Sequence, residues 1–497
     1  MKKDLELVNN YQKEMVLLGR SLALLGWDQE TNMPKKGVKS RSETIAFLSG
    51  LAHEKFTSDE FYNAVKRLKK EKLSGDNRVM INKLYKEIEK SRRLPKEFVL
   101  ELSKTTSLAL EAWKEARNKK DFKIFQPHLE KIVALKIKQA KYLNLPGHIY
   151  NSLLDSFEEG MTVEKLKPAF ENLKKKLILL SKKIKSTKIY KKQNLKLLKG
   201  EFPKEIQLEL SNNVVKRIGL NEENSRIDFS EHPFSTKIGL DDVRITTNIR
   251  SSPMFSFGSS MHEAGHSLYE LRLPIEHAYD ILGDAPSLGL HESQSRFWEN
   301  MIGRSKPFWK YYFPIFKKKF KINGNLDEWY KEVNEVKPGL IRIEGDEVHY
   351  FFHIVLRFEI ELGLIEGTIK VKDLPKVWNQ KMKALLDVIP KDDKEGVLQD
   401  MHWSSGAFGY FPTYALGTIY ASQLYNALKK QNPGIEKDIE KGDYSKIRAW
   451  LTKNIHKPGS KMLAEEIIKK ACGENLNPEV YVSYLTKKYS EIYGFQI

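Results

Sequence analysis

Disulfides are excluded first: Cys472 is the sole cysteine in 497 residues, so no intrachain bridge can form, and a reducing compartment is the expectation. Long apolar runs are missing too. No stretch reaches the roughly 20 apolar residues that span a bilayer. The opening Met1-Lys2-Lys3-Asp4-Leu5-Glu6 leads into no signal core, because Arg20 interrupts the first apolar patch. The expectation is a cytoplasmic protein without a membrane partner. There is no arginine-rich tract and no zinc-finger or RNA-recognition signature, although 84 Lys+Arg against 65 Asp+Glu leave a net charge of +19. The lysines are mixed with glutamates along nearly every segment, as on solvated helix faces, so nucleic acid is not the expected partner. An internal repeat and a Gly/Ser/Pro-rich linker are also lacking. Length alone allows roughly three domain-sized units, but the missing linkers favour one compact body over 1–497. With 40% hydrophobic and 30% charged residues, it has the balance of a globular protein rather than a disordered one.

The most local absence is of charge. From Met401 to Leu428 there is no Asp, Glu, Lys or Arg. The segment is aromatic and holds Gly406, Gly409 and Pro412, too polar and too broken for a membrane span. Such a segment lines a buried cleft or packs beneath a loop; core packing accounts for the aromatics but less well for His402.

Helical periodicity dominates the first 200 residues. Residues 8–26 carry an apolar stripe ending at Leu22, Leu24 and Leu25, and 40–54 resume it with Ile45, Leu48 and Leu51. Pro95 suits the first turn of a helix running to about Arg117. From Thr162 on, Leu166, Phe170, Leu173, Leu177, Leu180 and Ile184 follow a 4-3-4-3-4 spacing with lysines between, which predicts a long amphipathic helix. The pattern changes near 227–250. Val243, Ile245, Thr247 and Ile249 alternate with polar residues, a period of two that predicts a strand, with Ile227 to Phe229 as a partner. The edge of that small sheet could bind a peptide as an added strand, or the pair could be a structural hairpin. Residues 350–390 again read as amphipathic helix, and so does the C-terminal region.

Chemistry concentrates at His262-Glu263-Ala264-Gly265-His266. On a helix, positions i and i+4 share a face, so two imidazoles can bind one Zn²⁺ at about 2.0–2.1 Å each. Glu263, about 100° round the helix, can reach a water at the ion without being a ligand. This is the H-E-x-x-H arrangement of zinc peptidases. Ser259 and Ser260 suit a helix start, with Glu263 completing a capping box. Gly265 costs a helix roughly 1 kcal/mol relative to Ala, and the close approach of a neighbouring segment would offset it. A third ligand is required. Glu292 lies 26 residues after His266, in His291-Glu292-Ser293-Gln294, and a return helix can bring it to the ion. His291 competes from the same segment.

Together these residues resemble the carboxypeptidase Taq family of metallocarboxypeptidases along nearly the whole chain. The resemblance rests on Gly26-Trp27-Asp28-Gln29-Glu30-Thr31, His232-Pro233-Phe234 and Asp242-Val243-Arg244-Ile245-Thr246. It continues through the 262–266 motif, His291-Glu292-Ser293-Gln294, Ile341-Arg342 with Asp346, and Gln399-Asp400-Met401-His402-Trp403 followed by Gly409-Tyr410-Phe411-Pro412. Gly345 departs from it, since the family usually has alanine before this aspartate. The resemblance implies a mainly α fold of two helical subdomains flanking a deep groove, with a small hairpin or sheet beside the metal helix, commonly as a homodimer. It implies one zinc or cobalt ion on His262, His266 and Glu292. It also implies removal of C-terminal residues from peptides, with broad specificity but poor action on C-terminal proline.

On that basis Glu263 is expected as general base and His402 and Tyr410 as donors to the oxyanion, by analogy with related helical zinc peptidases. Arg244 and Arg342 are the expected anchors for the substrate's free carboxylate, because a guanidinium fork matches it. Structural ion pairs, Arg244 with Asp242 or Arg342 with Asp346, are the competing roles. His232 is a further substrate-binding candidate. Two other functions compete: an endo-oligopeptidase on the same metal, which needs no carboxylate anchor, and a catalytically silent basic binding protein, against which the retained Glu263 argues.

Overall fold

A computed structural model describes residues 1–193 and 195–496. The chain is mainly helical, with one small sheet. It starts with α1 (Lys2–Thr31), α2 (Val38–Thr57), α3 (Asp59–Lys69) and α4 (Gly75–Arg92). Ser58 caps α3 by accepting from the Phe61 N–H. Phe61, Val65 and Leu68 of α3 meet Val8 of α1 and Met80, Ile81, Leu84 and Ile88 of α4 in a core of their own. Leu282, from a loop far downstream, plugs into that core. α2 is different: it buries none of its residues.

Next come α5 (Lys96–Lys119), α6 (Phe122–Leu143) and α7 (Val163–Ser186). Pro95 sits at the cap of α5, and the Thr162 hydroxyl caps α7 by accepting from Lys165 N–H. The 4-3-4-3-4 stripe of α7 is buried from Leu166 to Ile184, each side chain contributing about 1.5–3 kcal/mol relative to exposure.

The sheet holds β1 (Ser225–Phe229), β2 (Ser235–Lys237) and β3 (Val243–Thr247), in the order β1-β3-β2. Ile227 does pair with Ile245 as its neighbour, but in parallel. The antiparallel partner is β2, on the other side of β3. A simple 227–249 hairpin is therefore replaced by a strand that leaves, turns through β2 and returns between its neighbours. β3 is central and buries Val243 and Ile245.

α8 (Pro253–Glu270) follows, then α9 (Leu288–Arg296), α10 (Tyr350–Glu366) and α11 (Phe411–Gln431). Two glycines set how closely these helices pack. A Cβ on Gly265 of α8 would lie 2.6 Å from the Gln294 carbonyl oxygen and 2.7 Å from Ser295 Cα; one on Gly417 of α11 would lie 2.6 Å from Glu292 Cγ. α9 is thus pressed between α8 and α11 at positions where only hydrogen fits. The neighbour expected at Gly265 is the helix that carries Glu292. α10 is not the amphipathic helix expected over 350–390: apart from Glu359 and Glu366 it is buried on every side, because it runs through the middle of the main core.

Candidate active site

α8 begins seven residues before Ser260, because Pro253 follows Ser252, whose hydroxyl accepts from Met254 N–H. Ser259 and Ser260 therefore lie inside the helix and cap nothing. Ser259 instead exchanges a hydrogen bond with Thr247 of β3 at 3.1 Å, which ties the helix to the sheet. Glu263 is then free of any capping role. It is 7% exposed, and burial raises its pKa to about 7, with His262 and the Ser235 hydroxyl working against the rise.

His262 and His266 share one face of α8, their ring centroids 5.0 Å apart. Glu292 Oε2 lies 3.5 Å from His262 Nε2 and 3.4 Å from His266 Nε2. Tetrahedral ligands on arms of about 2.0–2.2 Å are about 3.3–3.6 Å apart, so the three atoms are spaced as a cation requires. Among the described residues, these three side chains are the set able to converge on one ion. His291 is not in the set. Its Nε2 pairs with Glu270 Oε1 at 2.8 Å, and its ring stacks on His266 at 4.5 Å.

The surrounding charges fit a cation. The other Glu292 oxygen accepts from Arg296 Nε at 2.8 Å. Burial opposes the Glu292 charge, but His262 and Arg296 hold its pKa well below the usual range. Burial and the neighbouring His291 lower His266 to about 4, leaving the neutral imidazole a ligand must be. For His262, burial is outweighed by the Glu292 and Glu299 carboxylates, which draw positive charge to it.

Glu299 was not expected from the sequence. Its Oε2 pairs with His262 Nδ1 at 2.8 Å, the outer carboxylate that fixes the tautomer and orientation of a ligating histidine. It sits on a π-wound turn, Phe297–Ile302, that extends α9. Seven residues after Glu292 is a spacing that could have flagged it, but the wider turn alters the face an α-helical count assigns.

His402 and Tyr410 lie at the two ends of the loop before α11, their ring centroids 5.3 Å apart. Burial lowers His402 to about 4. Burial and the Glu292 charge raise the Tyr410 pKa, so both are neutral donors near pH 7. The His402 Nε2 faces Tyr414 OH at 3.3 Å. The core reading holds for the second half of this segment, where α11 is packed core, while His402 and Tyr410 lie on the 401–410 loop before it.

Arg342 is buried, but its partner is not Asp346. Its Nε and Nη2 donate to Asp400 Oδ1 at 3.2 and 3.0 Å, and Nη1 points to Tyr350 OH at 3.4 Å. Asp346 is occupied by His349 and by backbone N–H groups of Lys337, Val348 and His349. Arg357 also donates to Asp400, at 2.7 Å. Two guanidiniums thus share one carboxylate, whose pKa they hold far below normal against burial, and the cluster retains a net positive charge. Arg342 also lies over the Tyr414 ring at 4.7 Å. Arg244 forks onto Asp242, with Nη2 to Oδ2 at 2.8 Å, so the ion pair forms, and its guanidinium covers the Trp27 ring at 4.8 Å, which joins the end of α1 to the sheet. His232 is exposed on the loop before β2, where its carbonyl accepts from the Ser230 hydroxyl at 2.6 Å. The structure does not bring it into the converging ligand set.

The sequence matches the family model "Carboxypeptidase Taq (M32) metallopeptidase" over residues 7–489. It is 40% identical to thermostable carboxypeptidase 1 of Pyrococcus furiosus over 478 residues, 95% of each chain. It is 37% identical to carboxypeptidase 1 of Bacillus subtilis, covering 98% of this chain and 99% of that one. Among solved structures, a Pyrococcus furiosus carboxypeptidase superposes with a TM-score of 0.94 at 39% identity, covering 98% and 99% of the two chains. An M32 carboxypeptidase of Deinococcus radiodurans R1 gives 0.95 at 33% identity, covering 99% and 100%. Shared length, shared fold and a converging His-His-Glu set lead to one conclusion: this chain belongs to the carboxypeptidase Taq (M32) metallopeptidases and is a metallocarboxypeptidase.

Proposed function

We propose that this enzyme shortens peptides one residue at a time from a free C-terminus, with broad side-chain specificity and poor action on C-terminal proline, and that its ion is zinc, with cobalt the alternative. The observation that carries the reading is the convergence of His262, His266 and Glu292 with Glu263 buried one residue from the first ligand. His262, His266 and Glu292 would hold a divalent ion, whose chemistry would be to polarise a carbonyl and to lower the pKa of water towards 7. Glu263, whose pKa burial raises to about 7, accepts the proton of the attacking water and returns it to the leaving amine. His402 and Tyr410 donate to the oxyanion as it develops. Losing one such donor typically costs about 2.7–4 kcal/mol.

Of the two arginines, Arg342 is the better carboxylate anchor. Its cluster carries one unbalanced positive charge that a C-terminal carboxylate would neutralise, whereas Arg244 is matched one to one by Asp242. We further take residues 1–497 as one catalytic unit with two helical bodies. A cavity of about 380 Å³ lined by α1, Lys237 and the 277–284 loop is consistent with that division.

Timed digests followed by mass spectrometry, with metal analysis of the same preparation, test the reading. The expected result is a ladder losing one C-terminal residue per step, blocked when the peptide ends in an amide. Equal cleavage of the acid and the amide would make it an endo-oligopeptidase. Glu263→Gln should keep the ion and lose activity; retained activity would refute the mechanism.

A further inference from the structure

The loop that carries His402 and Tyr410 has no charge and no regular structure, yet both residues must be held to a fraction of an ångström to serve an oxyanion. We infer that Glu361 is a positioning residue that clamps this loop at both ends, beside His402 and beside Tyr410, and so holds the two donors in register. The inference rests on the catalytic reading of that pair.

Glu361 lies on α10 with no exposed surface. Its Oε1 accepts from Trp403 Nε1 at 2.8 Å, and Trp403 directly follows His402. Its Oε2 accepts from Gly409 N–H at 2.9 Å, and Gly409 directly precedes Tyr410. The Tyr150 hydroxyl donates to the same oxygen at 2.5 Å. The indole and the backbone N–H can only donate, so the group between them must accept on both sides, which among neutral and anionic side chains of this size a carboxylate does. A carboxylate is an expensive choice here. Burial pushes its pKa up to about 7 against all three hydrogen bonds, and buried polar groups are retained at a cost that apolar packing avoids. Leu362 and Ile360 on either side show what packing alone selects. The loop leaves little slack at its Tyr410 end. Gly409 has φ +97°, and a Cβ there would meet the Leu153 carbonyl oxygen at 2.7 Å, so its N–H is held facing Glu361. Glu361 itself touches neither the metal ligands nor Arg342, and therefore acts through the loop.

The test is Glu361→Gln in the metal-loaded enzyme. The amide keeps the shape but turns one acceptor into a donor, so either Trp403 or Gly409 must face an N–H. The expected result is a fall in kcat on the order of 100-fold, with KM within about threefold, one ion per chain and unchanged affinity for a free C-terminal amino-acid product. The double variant Glu361→Gln/Trp403→Phe removes the indole and lets the amide oxygen serve Gly409, so its kcat should exceed that of Glu361→Gln. Wild-type kcat in Glu361→Gln, or a double variant worse than either single one, would overturn the clamp. If Glu361→Gln does not fold, Trp403→Phe alone decides: reduced kcat at constant KM supports the clamp, and wild-type kcat overturns it. His402→Ala and Tyr410→Phe run in parallel. Full activity in those two refutes the catalytic reading of the pair, whereas loss in them with wild-type kcat in Glu361→Gln refutes only the clamp.

Discussion

Glu299 shows how a residue that binds nothing can govern a site. Its carboxylate on His262 Nδ1 leaves Nε2 facing Glu292 and His266. Glu299→Gln keeps an oxygen for that hydrogen bond but removes the charge and, with it, part of the imidazole's basicity. Metal affinity should fall about 10–100-fold, read by competition with a chelator, while thermal stability in excess metal stays near wild type. Unchanged affinity would reduce Glu299 to a bystander. Gly265 gives the complementary case, a position where an atom must be missing. In Gly265→Ala the new methyl would meet backbone atoms of Gln294 and Ser295 at 2.6–3.0 Å, and backbone cannot swing aside as a side chain can. The higher helix propensity of alanine, about 1 kcal/mol, should lose to overpacking of typically 1–3 kcal/mol. Because the displaced residues are two and three after Glu292, metal loading should fall too. A more stable variant with full loading would contradict the close approach as the reason for glycine. The two histidines of α8 and Gly265 are legible in the sequence because helical spacing puts them on defined faces, whereas Glu292 stands out from His291 only through the family resemblance. Glu299 is not legible, because it reaches the site through a π-wound turn.

At the scale of elements, the 277–284 loop joins the two hydrophobic bodies. It sends Leu282 into the core of α1, α3 and α4, and the Ile281 N–H donates to Gln12 of α1 at 3.0 Å. His277 reinforces the join: Nε2 meets Asp76 of α4 at 2.9 Å and Nδ1 meets Asp280 at 2.8 Å. Burial disfavours charge on His277, but the Asp280 and Asp76 carboxylates outweigh it and raise the pKa above the ordinary value, about 6.5. A raised histidine contributes its stabilisation fully below about 6.5 and loses it as pH rises through the folded-state value. Amide exchange in 277–283 and the first turn of α4, corrected for intrinsic rates, should therefore quicken between pH 6 and pH 9, and His277→Gln should abolish that dependence. Equal protection at both pH values would show the clasp to be electrostatically idle. Legibility follows the same physics. α7 was readable because one face is wet and the other dry. α10 departs from the amphipathic expectation because burial on nearly all sides erases the contrast that periodicity needs. β2 was passed over because three residues are too few to show a period, and with β2 unseen the sheet looked like a hairpin.

For the whole molecule, the question is what covers α2. A helix gains most of its stability from an apolar face packed on something, yet no residue of α2 is fully buried, and Phe56 near its end is the one that packs on the core of α1, α3 and α4. Phe47 is 66% exposed, with Val38 and Leu51 also open, and Leu17 and Leu24 of α1, seven residues apart and so on one face, are open too. α1 and α2 are held as one piece by Arg41 to Asp28 at 2.6 Å and by Lys55 to Glu14. A rigid apolar surface on a chain with net charge +19 does not suit a second basic surface at its centre, but a two-fold contact places this apolar strip against itself and the lysines at the rim. A homodimer built on α1 and α2 is therefore the expected assembly, burying on the order of 800 Å² per partner as stable pairs do. Phe47→Glu puts a charge at the middle of the strip and should weaken association at least tenfold, about 1.4 kcal/mol or more. In sedimentation the wild-type chain should run at twice its mass and the variant at its 57.7 kDa monomer mass at low concentration. Activity per chain should be retained, because no residue of α2 enters the metal site. A wild-type monomer at the concentrations used for assay would refute the dimer, and a variant dimer would place the interface elsewhere.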